Sequence, residues 1–358
     1  WIVTGRLLQG FGGGLEASVA YVIVRRTFPE SIWPRAIALM AGGWSLSVLI
    51  GPLIGGTFAG LGSWRNAFIA TAIIAAVLTV SAFFVVPPVV VQRRGASTRM
   101  PMARVGLICL AIAALSAASV LTPVFAKIGL VLAALASLAA MLRIDRAAET
   151  RMLPRDAFSL STPAGVGLWL ALLVCITYSP LQIYVPVFLQ HLHGLDPLAA
   201  GFVVASASLG WTVASLVTAG AVAPWPDRLM LSGPLIMGGG LLAIGVLTPH
   251  VATWPLIPAI VVLGVGIGQS WPFVAHHIMS SAQPGDETIA ASSIPMIQQL
   301  GFALGASFAG LVASSSGLTG GTADGDMRQA AFWIPASFVV PAGLACAACI
   351  RLRWLQQP

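Results

Sequence analysis

The sequence predicts an all-α polytopic membrane protein, and three observations carry that prediction. Only 8% of the 358 residues are charged and 58% are hydrophobic, whereas soluble domains carry about one quarter charged residues. The apolar residues fall into eleven runs, each close to the roughly 20 residues that a helix needs to cross about 30 Å of hydrocarbon. Arg and Lys collect in alternate connections between those runs. A soluble enzyme, a disordered tail and a disulfide scaffold are excluded on these grounds, and the mean hydropathy of +0.92 points the same way.

The predicted spans are 1–23, 35–60, 66–87, 104–121, 125–143, 164–190, 197–222, 229–248, 253–278, 289–314 and 331–351. Local start signals accompany three of them. Ser63 precedes Trp64-Arg65, Thr162 precedes Pro163, and Asp196 precedes Pro197. Each is an N-cap candidate, two of them with Pro at the first helical position. Gly and Pro inside spans are compatible with a helical bundle, where neighbours satisfy freed backbone groups.

Charge sorting tests the count, because cytoplasmic loops hold the excess of Lys and Arg. One side receives Arg25, Arg26, Arg35, Arg93, Arg94, Arg99, Arg104, Arg143, Arg146, Arg151, Arg155, Arg228, Arg351 and Arg353. The other receives Arg65, Lys127 and Arg328. A missed or split span would scramble this bias. The C-terminus is therefore expected on the cytoplasmic side.

The spans group as three, two and six. Residues 1–87 hold three. Residues 88–161 hold two basic linkers, 88–104 and 143–161, around a pair of spans joined by a turn at Thr122-Pro123. Residues 162–358 hold six. The chain starts at Trp1 inside an apolar helix without a signal peptide, and it is read as part of a longer sequence with three earlier spans.

The net charge of +7 does not mark a nucleic-acid binder, since the Arg residues are dispersed. Cys109, Cys175, Cys346 and Cys349 all lie in apolar runs. The Cys346/Cys349 spacing lacks the second ligand pair that zinc requires, so no metal is expected. Gly10-Phe11-Gly12-Gly13-Gly14-Leu15 lacks the last glycine of a dinucleotide loop and follows no strand. Gly264, Gly266 and Gly268 read as close helix packing. There is no Walker loop, and no cofactor is implied.

Chemistry is concentrated in the first span. Arg6 and Glu16 are strongly ionised side chains well inside it. A charge at the bilayer centre costs at least about 2.5–3.5 kcal/mol, so such groups face a bundle interior or a wet cavity. At 100° per residue, Arg6, Gln9, Gly13 and Glu16 fall within about 80° and form one polar seam. Arg6 and Glu16 lie about 15 Å apart along the axis, too far to pair within the helix. Each therefore needs a partner on another helix, a water or a substrate, and Glu16 is the candidate proton-exchanging carboxylate. The structural alternative makes Arg6 an anchor for carbonyls and Glu16 an interfacial group. Tyr178, Gln182, Tyr184, Gln190, Trp211, Gln269, Trp271 and Gln298 are candidates for an aromatic and amide cavity suited to amphipathic organic compounds. Interhelical hydrogen bonding is their alternative role. His276-His277 reads as a proton relay or as an interfacial pair.

GRLLQGFGGG resembles the fourth-span motif of the major facilitator superfamily, with Arg6, Gln9 and Gly10 at its core positions. GGWSLSVLIGPLIGGTF is similar to the fifth-span antiporter motif, with Gly43, Gly51, Pro52, Gly55 and Gly56 in matching places and Ser47 where Gly is usual. GSWRNAF is similar to the family's W-R turn, and GAVAPWPDR to a degenerate G-x-x-x-D-R loop. LQHLHGLDPLAAG and IQQLGFALGAS resemble segments of the 14-span drug:proton antiporter branch, with Gln298-Gln299 in place of Arg-Gln.

The resemblance implies a major facilitator fold. Residues 1–87 would be the second half of an N-terminal bundle, 88–161 linkers with two extra spans, and 162–358 a complete C-terminal bundle. It further implies proton-coupled efflux of drugs or other amphipathic compounds, by alternating access, from a bacterial inner membrane. The partners are then a small substrate, protons and the bilayer, with an accessory periplasmic partner left open. An exporter of an endogenous lipid or metabolite stays open within this class. A membrane enzyme acting on a lipid-linked substrate is the other class, and it would gather carboxylates and His at one interface. Asp145, Glu149 and Asp156 are interfacial, but they are interleaved with Arg and read as a solvated linker.

Overall fold

The computed structural model describes residues 2–85, 101–121, 123–250, 252–318 and 324–356. Arg93, Arg94 and Arg99 of the first basic linker, and Thr122 of the turn, lie outside them. The described residues are all-helical, without a strand. Eleven segments are long and apolar enough to cross a membrane, and they coincide with the eleven predicted spans.

The first helices are α1 (Ile2–Thr27), α2 (Trp33–Gly60) and α3 (Arg65–Val85). Next comes a hairpin of α4 (Met102–Val120) and α5 (Val124–Ala147). The remaining helices are α6 (Pro163–Ile183), α7 (Val185–His193), α8 (Pro197–Thr218), α9 (Trp225–Leu247), α10 (Leu256–Ser280), α11 (Glu287–Ser315), α12 (Asp324–Ser337) and α13 (Val339–Gln356).

Two predicted spans are each built from two helices. The sixth breaks at Tyr184, where Pro186 lies in the first turn of α7. The eleventh breaks at Phe338, ahead of Pro341 in α13. Proline has no N–H to donate and its ring crowds the carbonyl four residues back, so one helix stops and a new one starts. Pro52 is instead tolerated inside α2, which runs unbroken past it. Of the three predicted caps, two form. The Thr162 hydroxyl accepts from the Gly165 N–H and the Asp196 carboxylate from the Ala199 N–H. Ser63 does not cap. Its hydroxyl turns back toward the Phe58 carbonyl at 3.5 Å, and its N–H donates to the same carbonyl at 2.9 Å, so the residue closes off the end of α2.

The core sits among the helices after residue 162. α10 is wedged between α8 and α9, while α6 packs on α11 and α13. Missing side chains let these backbones touch. A Cβ at Gly264 would collide with the Ala207 carbonyl on α8, and one at Gly266 would lie 2.7 Å from the Gly233 carbonyl on α9. α1 lies against α11 and α2 against α8 and α10. α4 also rests on α11.

The second basic linker is not a solvated loop. Arg104 and Asp145 are both buried and form an ion pair between α4 and α5. Asp145 also accepts from the Met152 and Leu153 N–H groups, at 2.9 and 3.0 Å. Arg151 Nη2 donates to Asp286 Oδ1 and the Arg155 N–H to Asp286 Oδ2, each at 3.0 Å. The linker is thereby clamped onto the turn between α10 and α11. Toward the opposite ends of these helices, Lys127 Nζ donates to Ser314 Oγ at 2.7 Å. The hairpin is thus tied to α11 near both ends.

Three stability outcomes follow for thermal unfolding of the detergent-solubilised protein. Gly264→Ala should cost about 1–3 kcal/mol through overpacking. Gly239→Ala, whose added carbon meets nothing within 4 Å, should shift stability by less than about 0.5 kcal/mol. Asp145→Ala should cost about 3–5 kcal/mol, because it leaves the Arg104 guanidinium buried without its partner. An unshifted midpoint for Asp145→Ala would contradict the buried pair.

Candidate functional site

A cavity of about 720 Å³ opens between α1 and α2 on one side and α8, α10 and α11 on the other. Arg6, Gln9, Glu16 and Tyr21 of α1 line it, facing Trp44 of α2, Trp211 of α8, Trp271 of α10, and Gln298 and Gln299 of α11. Its volume comes from the sequence of α1. Gly10, Gly13, Gly14, Ala17 and Ala20 share the cavity face, so the helix presents little side-chain bulk there. From Arg6 to Tyr21 the wall spans about 22 Å at 1.5 Å per residue.

The polar groups of α1 are held differently from one another. Arg6 Nη1 donates to Gln9 Oε1 at 3.0 Å, and its guanidinium lies 5.5 Å from the centroid of the Phe68 ring on α3. Its partners are thus a neighbour on its own helix and an aromatic face, not a carboxylate. Glu16 has no ion-pair partner among the described residues. Its carboxylate is left available to solvent or a ligand in the cavity.

One end of the cavity is closed by contacts between α1, α2 and α10. Trp271 Nε1 donates to the Tyr21 hydroxyl at 3.0 Å, both side chains being buried. Glu30 Oε1 lies 3.4 Å from His276 Nε2, and the His276 ring packs on Trp33 with centroids 5.8 Å apart. Arg25 lies over the other partner of this stack, 5.9 Å from the Trp33 centroid. This is the end that carries Arg25 and Arg26. His277 is turned away, with Nε2 3.2 Å from the Pro163 carbonyl. The two adjacent histidines therefore serve different contacts and do not form a chain.

α2 follows α8 along much of its length. Ser45 Oγ donates to the Ser208 carbonyl at 2.8 Å and accepts from the Thr212 hydroxyl. A Cβ at Gly201 would lie 2.9 Å from Pro52, and one at Gly56 would lie 2.8 Å from Leu198. Pro52 and Gly56 thus face α8. Gly43, Gly51 and Gly55 point to open space, with nothing within 4 Å among the described residues.

Five residues predicted for the cavity lie elsewhere. Tyr178 is buried behind Trp211, edge-on to it with centroids 5.4 Å apart. Gln182 is exposed, away from the cavity. The ring of Tyr184 stacks on Phe188 at 6.2 Å. Gln190 Nε2 donates to the Pro186 carbonyl of its own turn at 3.1 Å, and Gln269 Nε2 to Ser232 Oγ on α9 at 2.7 Å. Gln190 and Gln269 thereby satisfy a local and an interhelical hydrogen bond. Sequence reasoning missed Tyr21, Met40 and Trp44 as cavity residues. For Tyr21 a signal existed, since it lies within one helical quadrant of the Arg6–Glu16 seam. For Trp44 none did, because nothing in α2 marks which face meets α1.

No group of three or more His, Cys, Asp or Glu able to hold a metal occurs among the described residues. Asp145 and Asp286 are each committed to an arginine.

A model of the Major Facilitator Superfamily matches residues 1–306. Two relatives described as "Probable multidrug-efflux transporter", from two strains of Mycobacterium tuberculosis, are 33% identical over 329 residues, covering 88% of this chain and 69% of each relative. Multidrug resistance protein 3 of Bacillus subtilis is 24% identical over 322 residues, covering 87% of this chain and 61% of its own length. The Methylenomycin A resistance protein of Streptomyces coelicolor is 24% identical over 325 residues, covering 88% and 67%. The eleven membrane-length segments among the described residues agree with that match in kind: the chain belongs to the major facilitator superfamily, a family of multi-pass membrane transporters.

Proposed function

We propose that this chain is a secondary transporter that exports drugs or other amphipathic organic compounds in exchange for protons. The single observation that carries the reading is the cavity itself. It sets an arginine, a carboxylate without an ion-pair partner among the described residues and several amides beside three tryptophans, between membrane-length helices. Aromatic faces accept the apolar body of a substrate, and the few polar groups orient it. The efflux descriptions of the relatives support the direction and the substrate class.

Alternating access suits the arrangement. The cavity lies between α1–α2 and α8–α10–α11, so rocking one set against the other about the α2–α8 contact exposes it to either face. Opening one end requires breaking the Tyr21–Trp271 and Glu30–His276 contacts. We place that end in the cytoplasm, because the arginine-rich connections lie there, and the membrane as the bacterial inner membrane. Glu16 takes a proton when the cavity faces the proton-rich side and gives it up on the other. Arg6 holds Gln9 in place and keeps a positive charge in the site through both protonation states. The α4–α5 pair between the three preceding helices and the later ones supports assignment to the 14-span drug:proton antiporter branch.

Proteoliposomes with an acidic lumen test the proposal. The reconstituted protein should accumulate a fluorescent amphipathic dye several-fold above protein-free vesicles, and a protonophore should abolish the gain. Glu16→Gln should lose gradient-driven accumulation while downhill equilibration persists. Arg6→Ala should lower the coupled rate by about tenfold or more, the scale of a lost charged hydrogen bond. Accumulation that survives the protonophore, or full coupling in Glu16→Gln, would overturn the proposal.

A further inference from the structure

The cavity carries opposite charges at two places along its α1 wall. Among the described residues that line it, Arg6 is the cation and Glu16 the anion, and the rest are neutral. Both residues are exposed as well as lining the cavity, so a ligand can reach them. Their Cα atoms lie about 15 Å apart along the helix, so neither neutralises the other. Nor does either have an oppositely charged partner among the described residues. Arg6 gives one N–H to Gln9 and lies near the Phe68 ring. Both of these contacts are neutral, so its charge stays uncompensated and further N–H donors remain for a ligand. Charges placed within a membrane span are costly, and two uncompensated ones in the same cavity call for a reason.

Between the two charges the wall is low and apolar. Gly10, Gly13 and Gly14 lie there, with Trp44, Trp211 and Trp271 among the residues on the other side. The volume of about 720 Å³ has room for a rigid body of two aromatic rings. Resting on the transport reading above, we propose that the cavity selects elongated zwitterions: a flat apolar body with a carboxylate at one end for Arg6 and an ammonium at the other for Glu16. The planar guanidinium suits a carboxylate, since it can offer two parallel N–H groups. An organic monocation pairs with Glu16 and leaves the guanidinium unanswered. A monoanion pairs with Arg6 and leaves the carboxylate unanswered. The zwitterion answers both charges, and its two ends can lie in one direction only along α1.

Three probes on one frame test this. The first is a biphenyl that carries a carboxylate on one ring and an aminomethyl group at the far end of the other. Its methyl ester keeps only the cation, and its N-acetyl derivative keeps only the anion. Calorimetric titration of the unsubstituted protein in nanodiscs should find the zwitterion bound about tenfold or more tighter than either derivative, as one charged hydrogen bond gives. Arg6→Gln should erase the preference over the ester and keep the preference over the N-acetyl compound. Glu16→Gln should do the reverse. Equal affinities for the zwitterion and either derivative in the unsubstituted protein would overturn the inference even if a variant fails to fold. Preferences that stay unchanged in both folded variants would overturn it too. If protonophore-sensitive dye accumulation persists while the zwitterion shows no advantage, only this inference falls. If neither dye nor probe engages the protein, the transport reading falls with it.

Discussion

The structure depends on the absence of water in a bilayer interior. A backbone N–H or C=O that crosses hydrocarbon must find its partner within the protein, and a helix supplies one for nearly every residue. Eleven membrane-length helical segments follow from that demand. So do the places where the helices yield. Pro186 and Pro341 end one helix and begin another inside a span, whereas Pro52 stays within an unbroken helix that has α8 beside it. The same constraint governs the side chains. Arg104 and Asp145 are buried only as a pair, and Asp145 fills its remaining capacity with two backbone N–H groups.

Close backbone approach and open space are both produced by small residues, and the difference lies in what faces them. Gly264, Gly266 and Gly268 meet the backbones of α8 and α9, so the missing Cβ becomes contact. Gly10, Gly13 and Gly14 on α1 meet nothing within 4 Å, and the missing Cβ becomes cavity. A transport site inside a helical bundle needs both. The first keeps the later helices a packed unit, and the second leaves room for a ligand beside Arg6 and Glu16. The clamps through Asp286 and Lys127 add α4 and α5 to that packed unit, so the hairpin is positioned to move with α11.

How much was legible in the sequence follows from the range of each interaction. Span number and order were readable because hydrocarbon length and apolar composition act within a single segment. The caps at Thr162 and Asp196 were readable for the same reason. The polar face of α1 was readable from helical periodicity, and it does line the cavity. The membership of the far wall was not. Tyr178, Gln182, Tyr184, Gln190 and Gln269 carry polar groups as Gln298 does, and only the packing of α6, α7, α10 and α11 decides which of them meets the cavity. Trp44 was missed because the α1–α2 contact has no local signature. The fate of Asp145 was misread because a carboxylate among arginines looks the same whether water or one guanidinium surrounds it. The breaks at Tyr184 and Phe338 had a local signal in Pro186 and Pro341, which a span-length hydropathy window averages away.

The central claim is that α1 lines a water-accessible cavity within the membrane, with Arg6, Gln9 and Glu16 on its face. The most direct test is thiol reactivity in the membrane-embedded protein, with Cys109, Cys175, Cys346 and Cys349 replaced. Single cysteines at Gln9, Gly13 and Ala20 should react with a water-soluble, membrane-impermeant maleimide, while cysteines at Leu78 and Phe83 on the exposed surface of α3 should not. Protection of the α1 positions together with labelling of the α3 positions would contradict the account.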